Sequence, residues 1–294
     1  MAGKDITEKI LEDFPDVFAD IVNVLLFDGK QEVLPSDLEN MQMRSAYRAE
    51  GDIHEIERDV AKRWRRNNVR IACVGFENQS QPDPKMVLRV YGYDGAEYRA
   101  QCLKENENDP AYPVVTIVLY FGYKKRWDQP TELYDAVQIP EILKPFVSNV
   151  KINVFEIAWL TDEQVDKFKS DFKIVADYFV QKRKNNDYEP TKEKIQHVHA
   201  LLQLLSVMEN DIRFEEILND DEEEGGIQNM CDVLDKVEKN GEKKGIEKGI
   251  EKGIEKAVLD NIKSLMESMK WTAQQAMDAL KIPSVDQSKY ASKL

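Results

Sequence analysis

The stretch Val69-Arg70-Ile71-Ala72-Cys73-Val74-Gly75-Phe76-Glu77-Asn78-Gln79 is apolar on both faces from Ile71 to Phe76 and then changes abruptly to three oxygen-bearing side chains. An unbroken apolar run of this kind is the pattern of a central strand covered on both sides. Residues 58–64 read as its neighbour. Between the two lies Arg65-Arg66-Asn67-Asn68, and an Asn pair tolerates the positive φ that a tight turn demands, so the two strands form a hairpin. With the turn centred between Asn67 and Asn68, cross-strand partners carry numbers that sum to about 135. That sets Asp59 opposite Glu77 or its neighbour. Side chains alternate along a strand, so Glu77 and Gln79 share a face while Asn78 points away.

Carboxylate and amide oxygens with no His or Cys beside them are what a hard cation such as Mg2+ prefers, and Mg2+ takes one or two carboxylates and keeps several waters. Such a cation can polarise a scissile phosphate, make hydroxide from a bound water and stabilise the leaving oxygen. Gln79 could orient a water or touch a phosphate, but an amide has no useful basicity. Spacing alone also fits a plainer arrangement, in which Asp59 and Glu77 are exposed rim residues paired with Arg58, Lys62 or Arg63. The sudden polar end of an apolar strand favours a site at a sheet edge.

Working outward, apolar residues at Ile10, Leu11, Phe14, Val17, Phe18, Ile21, Val22, Leu25 and Leu26 form a helical stripe, which Pro15 splits into two short helices and Asp28-Gly29-Lys30 stops. Residues 35–57 are polar and weakly helical in pattern. Residues 86–103 are helical, with Met86, Val90, Tyr93 and Glu97 on one side. Residues 112–122 are the strongest buried-strand signal, and 152–159 are a second. Thr161-Asp162-Glu163-Gln164 has the capping-box pattern and opens a long helix through Phe168, Phe172, Val175 and Phe179. Strands and helices alternate, so the class is α/β, a mixed central sheet flanked by helices with an α-helical C-terminal tail.

The tail has its own character. After a core over 1–189, residues 190–219 form a flanking helical segment that includes an amphipathic helix over 191–208. Residues 220–240, which open with Asp220-Asp221-Glu222-Glu223-Glu224, read as an acidic linker. Residues 241–257 repeat Gly-Ile-Glu-Lys. A period of four keeps the isoleucines on a slowly winding helical stripe, either a solvated spacer or a self-association seam. Residues 258–294 predict three short helices turning at Lys270-Trp271 and Ile282-Pro283, with caps at Thr272 and Ser284. That module is compatible with a helix-turn-helix presenting Gln287, Ser288 and Lys289, or with a helical dimerisation knob.

With 42% hydrophobic and 33% charged residues, the 294-residue chain has the composition of a globular protein with a heavily charged exterior. No apolar run reaches the roughly 20 residues of a membrane span, and the charged N-terminus lacks the apolar core of a signal peptide, which predicts a cytoplasmic location. Cys73, Cys102 and Cys231, odd in number and far apart, predict buried thiols and no disulfide framework. The net charge of −14 opposes a nucleic-acid partner, yet Lys62 to Arg66, Lys124-Lys125-Arg126 and Lys182-Arg183-Lys184 are local basic clusters. Neither a phosphate-binding glycine loop nor a nucleophile elbow occurs. His197 and His199 face different directions on a helix and make a poor ligand pair. Tyr120, Phe121, Tyr123 and Trp127 could stack on unpaired bases beside the Lys124 cluster.

The run from Asp59 through Val74-Gly75-Phe76-Glu77-Asn78-Gln79-Ser80, then Asp83, Met86, Arg89 and Tyr93, resembles the core of the recombination-promoting nuclease family, the transposase-like PD-(D/E)xK nucleases. The likeness extends to 112–122 with Trp127, to 152–160 and to the Gly-Ile-Glu-Lys repeat. It implies a restriction-endonuclease-like core that cuts DNA with Mg2+ or Mn2+, in which Asp59 and Glu77 hold the metal and Gln79 stands where the wider superfamily has a lysine. Lys85 could supply the missing cation and Arg89 could hold a phosphate or pair with Asp83 or Glu77. An acid on the first helix, Asp20 or Asp16, would complete the metal set. The expected partners are DNA and a second copy of the chain. The competing expectation is a DNA-binding or interaction protein that keeps the fold and has lost efficient hydrolysis, which the neutral Gln79 and the acidic charge both favour.

Overall fold

A computed structural model describes residues 10–41, 44–49, 52–57, 59–66, 69–102, 110–220 and 227–294, with the backbone alone at 44–49, 52–57, 69–71 and 218–220. The first apolar run does break at Pro15. A 3-10 turn over Leu11–Asp13 leads into α1 (Pro15–Phe27), with the proline at its first turn, where no backbone donor is needed. Asp28 and Gly29 end the helix with left-handed φ values of 55° and 84°. Residues 35–57, read as weakly helical, contain β1 (Leu38–Asn40) and the hairpin of β2 (Arg44–Ala49) with β3 (Asp52–Glu57). Cross-strand pairing, absent from any local pattern, overrides the weak helical preference there.

β4 (Val60–Arg66) and β5 (Val69–Gln79) form the predicted hairpin, with Val60 opposite Phe76, Ala61 opposite Gly75 and a register shift between Trp64 and Arg65. The turn residues Asn67 and Asn68 lie outside the described residues. After α2 (Met86–Cys102), β6 (Val114–Tyr120) lies parallel to β5, and beyond the short α3 (Leu133–Ala136), β7 (Asn153–Glu156) lies parallel to β6. The sheet order is β1-β4-β5-β6-β7, with β5 in the centre. Helices cover both sides. Phe18 of α1 meets Phe76 at 4.5 Å between ring centroids, and Met86, Val87 and Val90 of α2 pack with Val118 and Ile152 on the opposite face. This is the mixed α/β architecture of a restriction-endonuclease-like core.

The Thr161 capping box forms, but the helix it opens, α4 (Asp162–Val165), stops after one turn, and α5 (Phe172–Asn185) is a separate helix. The interruption has a clear cause. Buried Asp20 draws the backbone N–H groups of Lys169 and Ser170 to one oxygen at 2.8 Å each, and the Ser170 hydroxyl at 2.7 Å. Asp171 likewise captures the N–H groups of Gln196 and His197, so α6 begins at Val198 (Val198–Glu209), later than the amphipathic pattern suggests. α7 (Arg213–Asp220) follows.

The chain divides into two compact units, Met1–Val233 and Leu234–Leu294, so α6 and α7 belong to the first. A single helix, α8 (Met230–Met269), contains the end of the acidic stretch and the whole Gly-Ile-Glu-Lys repeat. Ile246, Ile250 and Ile254 stand exposed along it. In the second unit Ile262, Ala276 and Met277 form a small core with α9 (Ala273–Ala279) and α10 (Ser284–Ala291). Thr272 makes its capping box, and the turns carry left-handed Lys270 and Lys281. Ser284, expected to be a cap, lies inside α10, where Pro283 takes the cap position. Gln287 is not free to contact a partner, because its amide bonds Asp278, Ile282 and Gln274. Of the three free cysteines only Cys73 is buried; Cys102 is exposed. Among the described residues no helix is long and apolar enough to cross a membrane.

One charge is locked inside the first unit. Lys62 of β4 is fully buried, and its ammonium donates to Asp13 at 2.8 Å and to Asn40 at 2.6 Å, tying the entry to α1 and the edge strand β1 to the hairpin. Removing one partner of a buried pair leaves an uncompensated charge, whereas replacing both with apolar groups is often tolerated. Asp13→Ala is therefore expected to cost about 3 kcal/mol in urea denaturation and the Asp13→Ala/Lys62→Met double variant to recover most of it. A double variant as unstable as the single one would contradict this account.

Candidate active site

The hairpin ladder delivers Asp59 and Glu77 to the same end of neighbouring strands. Asp59 lies one residue before β4, exposed, and its Oδ2 accepts the backbone N–H of Asn78 at 2.7 Å, which continues the ladder beyond Val60 and Phe76. Glu77 is 1% exposed. Gln79 ends β5 opposite Tyr120, its carbonyl accepting from Phe121 N at 2.8 Å, and its side-chain amide bonds no described residue. Asn78 points to the other side of the sheet, as strand alternation requires.

Arg89, from the first turns of α2, organises the Glu77 side. One guanidinium nitrogen donates to Glu77 Oε2 at 3.0 Å, another to Asp83 at 3.0 Å, and the Tyr93 hydroxyl lies at 3.2 Å. Both sequence alternatives for its carboxylate partner are realised together. Partial burial disfavours the Arg89 charge, but Tyr93, Asp83 and Glu77 outweigh it and hold the guanidinium pKa above its ordinary value. Burial and the Glu77 charge raise the Tyr93 hydroxyl. Lys85 is exposed at the start of α2, its backbone N–H donating to Asp83 at 2.8 Å.

The first-helix acids sit elsewhere. Asp20 is spent on the backbone of Lys169 and Ser170, and Asp16 faces His197 at 3.2 Å, whose ring stacks on Phe14. Neither is brought to Asp59. The acid that does come close is Glu12, in the turn before α1. It is fully buried and accepts from the Asn78 amide at 3.0 Å; its second oxygen and the Asn78 carbonyl oxygen have no hydrogen-bond partner among the described residues. Burial drives its pKa up to about 7, and the Asp59 charge adds to the rise. Sequence reasoning passed over Glu12 because it sits beside Asp13 in what looked like one helical stripe. The one signal was an acid at a position flanked by Leu11 and Phe14.

Asp59, Glu77 and the Gln79 amide oxygen suit a hard cation by donor type. Among the described residues, no three His, Cys, Asp or Glu side chains are grouped so as to hold an ion by themselves. A cation here would need waters and an exchange of the Arg89 contact to Glu77.

A mixed five-stranded sheet with helices on both faces defines an α/β protein of nuclease-like fold. Residues 36–213, more than half of the chain, match the family described as "Putative transposase, YhgA-like", and the chain belongs to that family. The match includes Asp59, Glu77, Gln79, Lys85 and Arg89 and excludes Glu12. No curated protein and no solved structure gave a match.

The Glu12 environment predicts a pH effect. An unfolded glutamate ionises near 4.5 and the folded one near 7, so the folded protein holds an extra proton between those values. The stability this contributes is complete below pH 4.5 and is lost as pH rises to about 7. In EDTA, wild type should lose on the order of 3 kcal/mol across that window by chemical denaturation. Glu12→Gln should flatten the profile. An unchanged slope in Glu12→Gln would remove Glu12 as the cause.

Proposed function

We propose that this chain is a metal-dependent DNA endonuclease that hydrolyses phosphodiester bonds, its product serving recombination. The observation that carries the reading is the hairpin end at which Asp59 accepts the Asn78 N–H, next to Glu77 and its partner Arg89. Membership of a transposase-like family supports DNA as the partner.

Asp59 and Glu77 would hold Mg2+ or Mn2+, with Gln79 as an additional oxygen donor. The ion would supply Lewis acidity and a water of lowered pKa. The protein's own residues do the rest. Asn78 fixes Asp59 through its backbone N–H and is itself anchored to Glu12 through its amide. Arg89 pairs with Glu77 and, once a cation takes over that carboxylate, would turn its freed guanidinium N–H to a phosphate oxygen. Lys85, exposed one turn earlier, adds positive charge on the approach. Gln79 orients a water by hydrogen bonding but accepts no proton. The tail, with its exposed isoleucine stripe, would join two copies so that two sites cut two strands.

Gln79 and the Glu77–Arg89 pair also support a second reading, a DNA-binding protein with little or no turnover. Supercoiled-plasmid nicking in Mg2+, Mn2+ or Ca2+ separates the two. Asp59→Ala and Glu77→Gln should each lower the nicking rate of the wild type by at least about 100-fold. Wild type no faster than the double variant in every metal would end the nuclease reading.

A further inference from the structure

Just past Gln79 the chain opens a cavity of about 250 Å³, between Ser80-Gln81, the segment after β6 and the end of α6. It is smaller than the roughly 300–1,000 Å³ of sites for drug-sized ligands, and it has room for one planar group. Tyr123 lines it, half-buried, with Phe179 behind at 6.4 Å and the Lys124 and Lys182 ammonium groups each 5.8 Å from its ring centroid. Lys124 and Lys125 stand exposed at the rim.

Glu209 is the unusual member of the lining. Its side chain is 9% exposed, yet its two contacts are long, Lys182 and the Tyr123 hydroxyl each at 3.5 Å from Oε2, and Oε1 has no hydrogen-bond partner among the described residues. Charge-assisted bonds to carboxylates normally close to about 2.7–2.9 Å. Oε1 is closed to solvent, so a donor that enters the cavity improves on the two long contacts at Oε2.

We propose that this cavity takes a single unpaired nucleobase of the DNA strand held at the neighbouring Asp59–Glu77 site. The base stacks on Tyr123, the rim lysines meet the adjoining phosphates, and Glu209 accepts from its N–H edge. Guanine, with adjacent ring N–H and amino donors, fits a carboxylate best. Thymine offers one donor. The substrate is then single-stranded or distorted DNA, because a paired base cannot present that edge. A local pocket of this kind also reconciles DNA binding with the chain's acidity, since recognition is concentrated on one base and a few lysines. The inference rests on the reading of the chain as a DNA-cleaving protein.

The test uses the full chain in EDTA at fixed salt, and fluorescence anisotropy with labelled 12-mers of abasic sugar-phosphate that carry one central dG, one central dT or no base. Wild type should bind the dG strand at least roughly 5-fold more tightly than the fully abasic one, with dT between them. Glu209→Gln should bring dG down to dT, and Tyr123→Leu should remove the gain from either base. Equal affinity of wild type for all three strands overturns the pocket, and because this comparison varies only the DNA it stands even if a variant fails to fold. A dG preference that survives in Glu209→Gln overturns the role of Glu209. Plasmid nicking on the same preparations keeps the two ideas apart: nicking with no base preference sinks the pocket and spares the nuclease, whereas neither nicking nor binding sinks both.

Discussion

The antiparallel pairing of β4 with β5 is the constraint on which the rest depends. A strand ladder admits no gradual slippage, because a shift of one residue would move every side chain to the opposite face. Here the apolar residues of β5 must serve two cores at once, Phe76 against α1 and the Glu77 side against α2. The register is therefore held from both faces, and its last rung, Asn78 N–H to Asp59, places one carboxylate next to the strand that carries the other. The parallel addition of β6 then buries β5 in the centre of the sheet, which takes Glu77 almost completely out of water while Asp59 stays wet.

Polar groups in such a position need compensation, and the protein supplies it asymmetrically. On the α2 face, Arg89 ties Glu77 to Asp83 and Tyr93, one guanidinium set between two carboxylates and a hydroxyl. On the α1 face, Lys62 has Asp13 and Asn40, whereas at Glu12 burial outweighs the backbone and Asn78 hydrogen bonds and pushes the acid toward the neutral form. The candidate site thus has one acid paired with a guanidinium and, behind Asn78, another that burial pushes toward the neutral form at physiological pH. An under-coordinated carboxylate recurs at Glu209, the last residue of α6.

The C-terminal unit obeys different rules. A 40-residue helix whose repeat exposes Ile246, Ile250 and Ile254 gains little from burial, and each repeat carries a glycine that costs about 1 kcal/mol relative to alanine. Like charges stack four apart in the repeat and only Lys-to-Glu pairs three apart offset them, so its persistence as a helix comes from length and from the small Ile262–Met277 core beyond the repeat.

The amino-acid sequence by itself determined those elements whose signal is local: the β4–β5 hairpin and its register, the buried strand before Gly122, the break at Pro15 and the capping boxes at Thr161 and Thr272, whereas the strand read over 152–159 is an exposed to half-buried edge strand that ends at Glu156. Each follows from periodicity or from chemistry within a few residues. Only the tertiary structure decided the elements whose causes lie far along the chain. Within residues 35–57, Leu38–Asn40, Arg44–Ala49 and Asp52–Glu57 became strands because partners were available. The long helix after Thr161 was cut because Asp20, about 150 residues upstream, captured its backbone donors. For the same reason Asp20 turned out to hold the fold together, while Glu12 came to lie beside Asn78 and Asp59. A carboxylate's role is set by which donors and charges surround it, and that environment is assembled from segments that one-dimensional spacing cannot bring together.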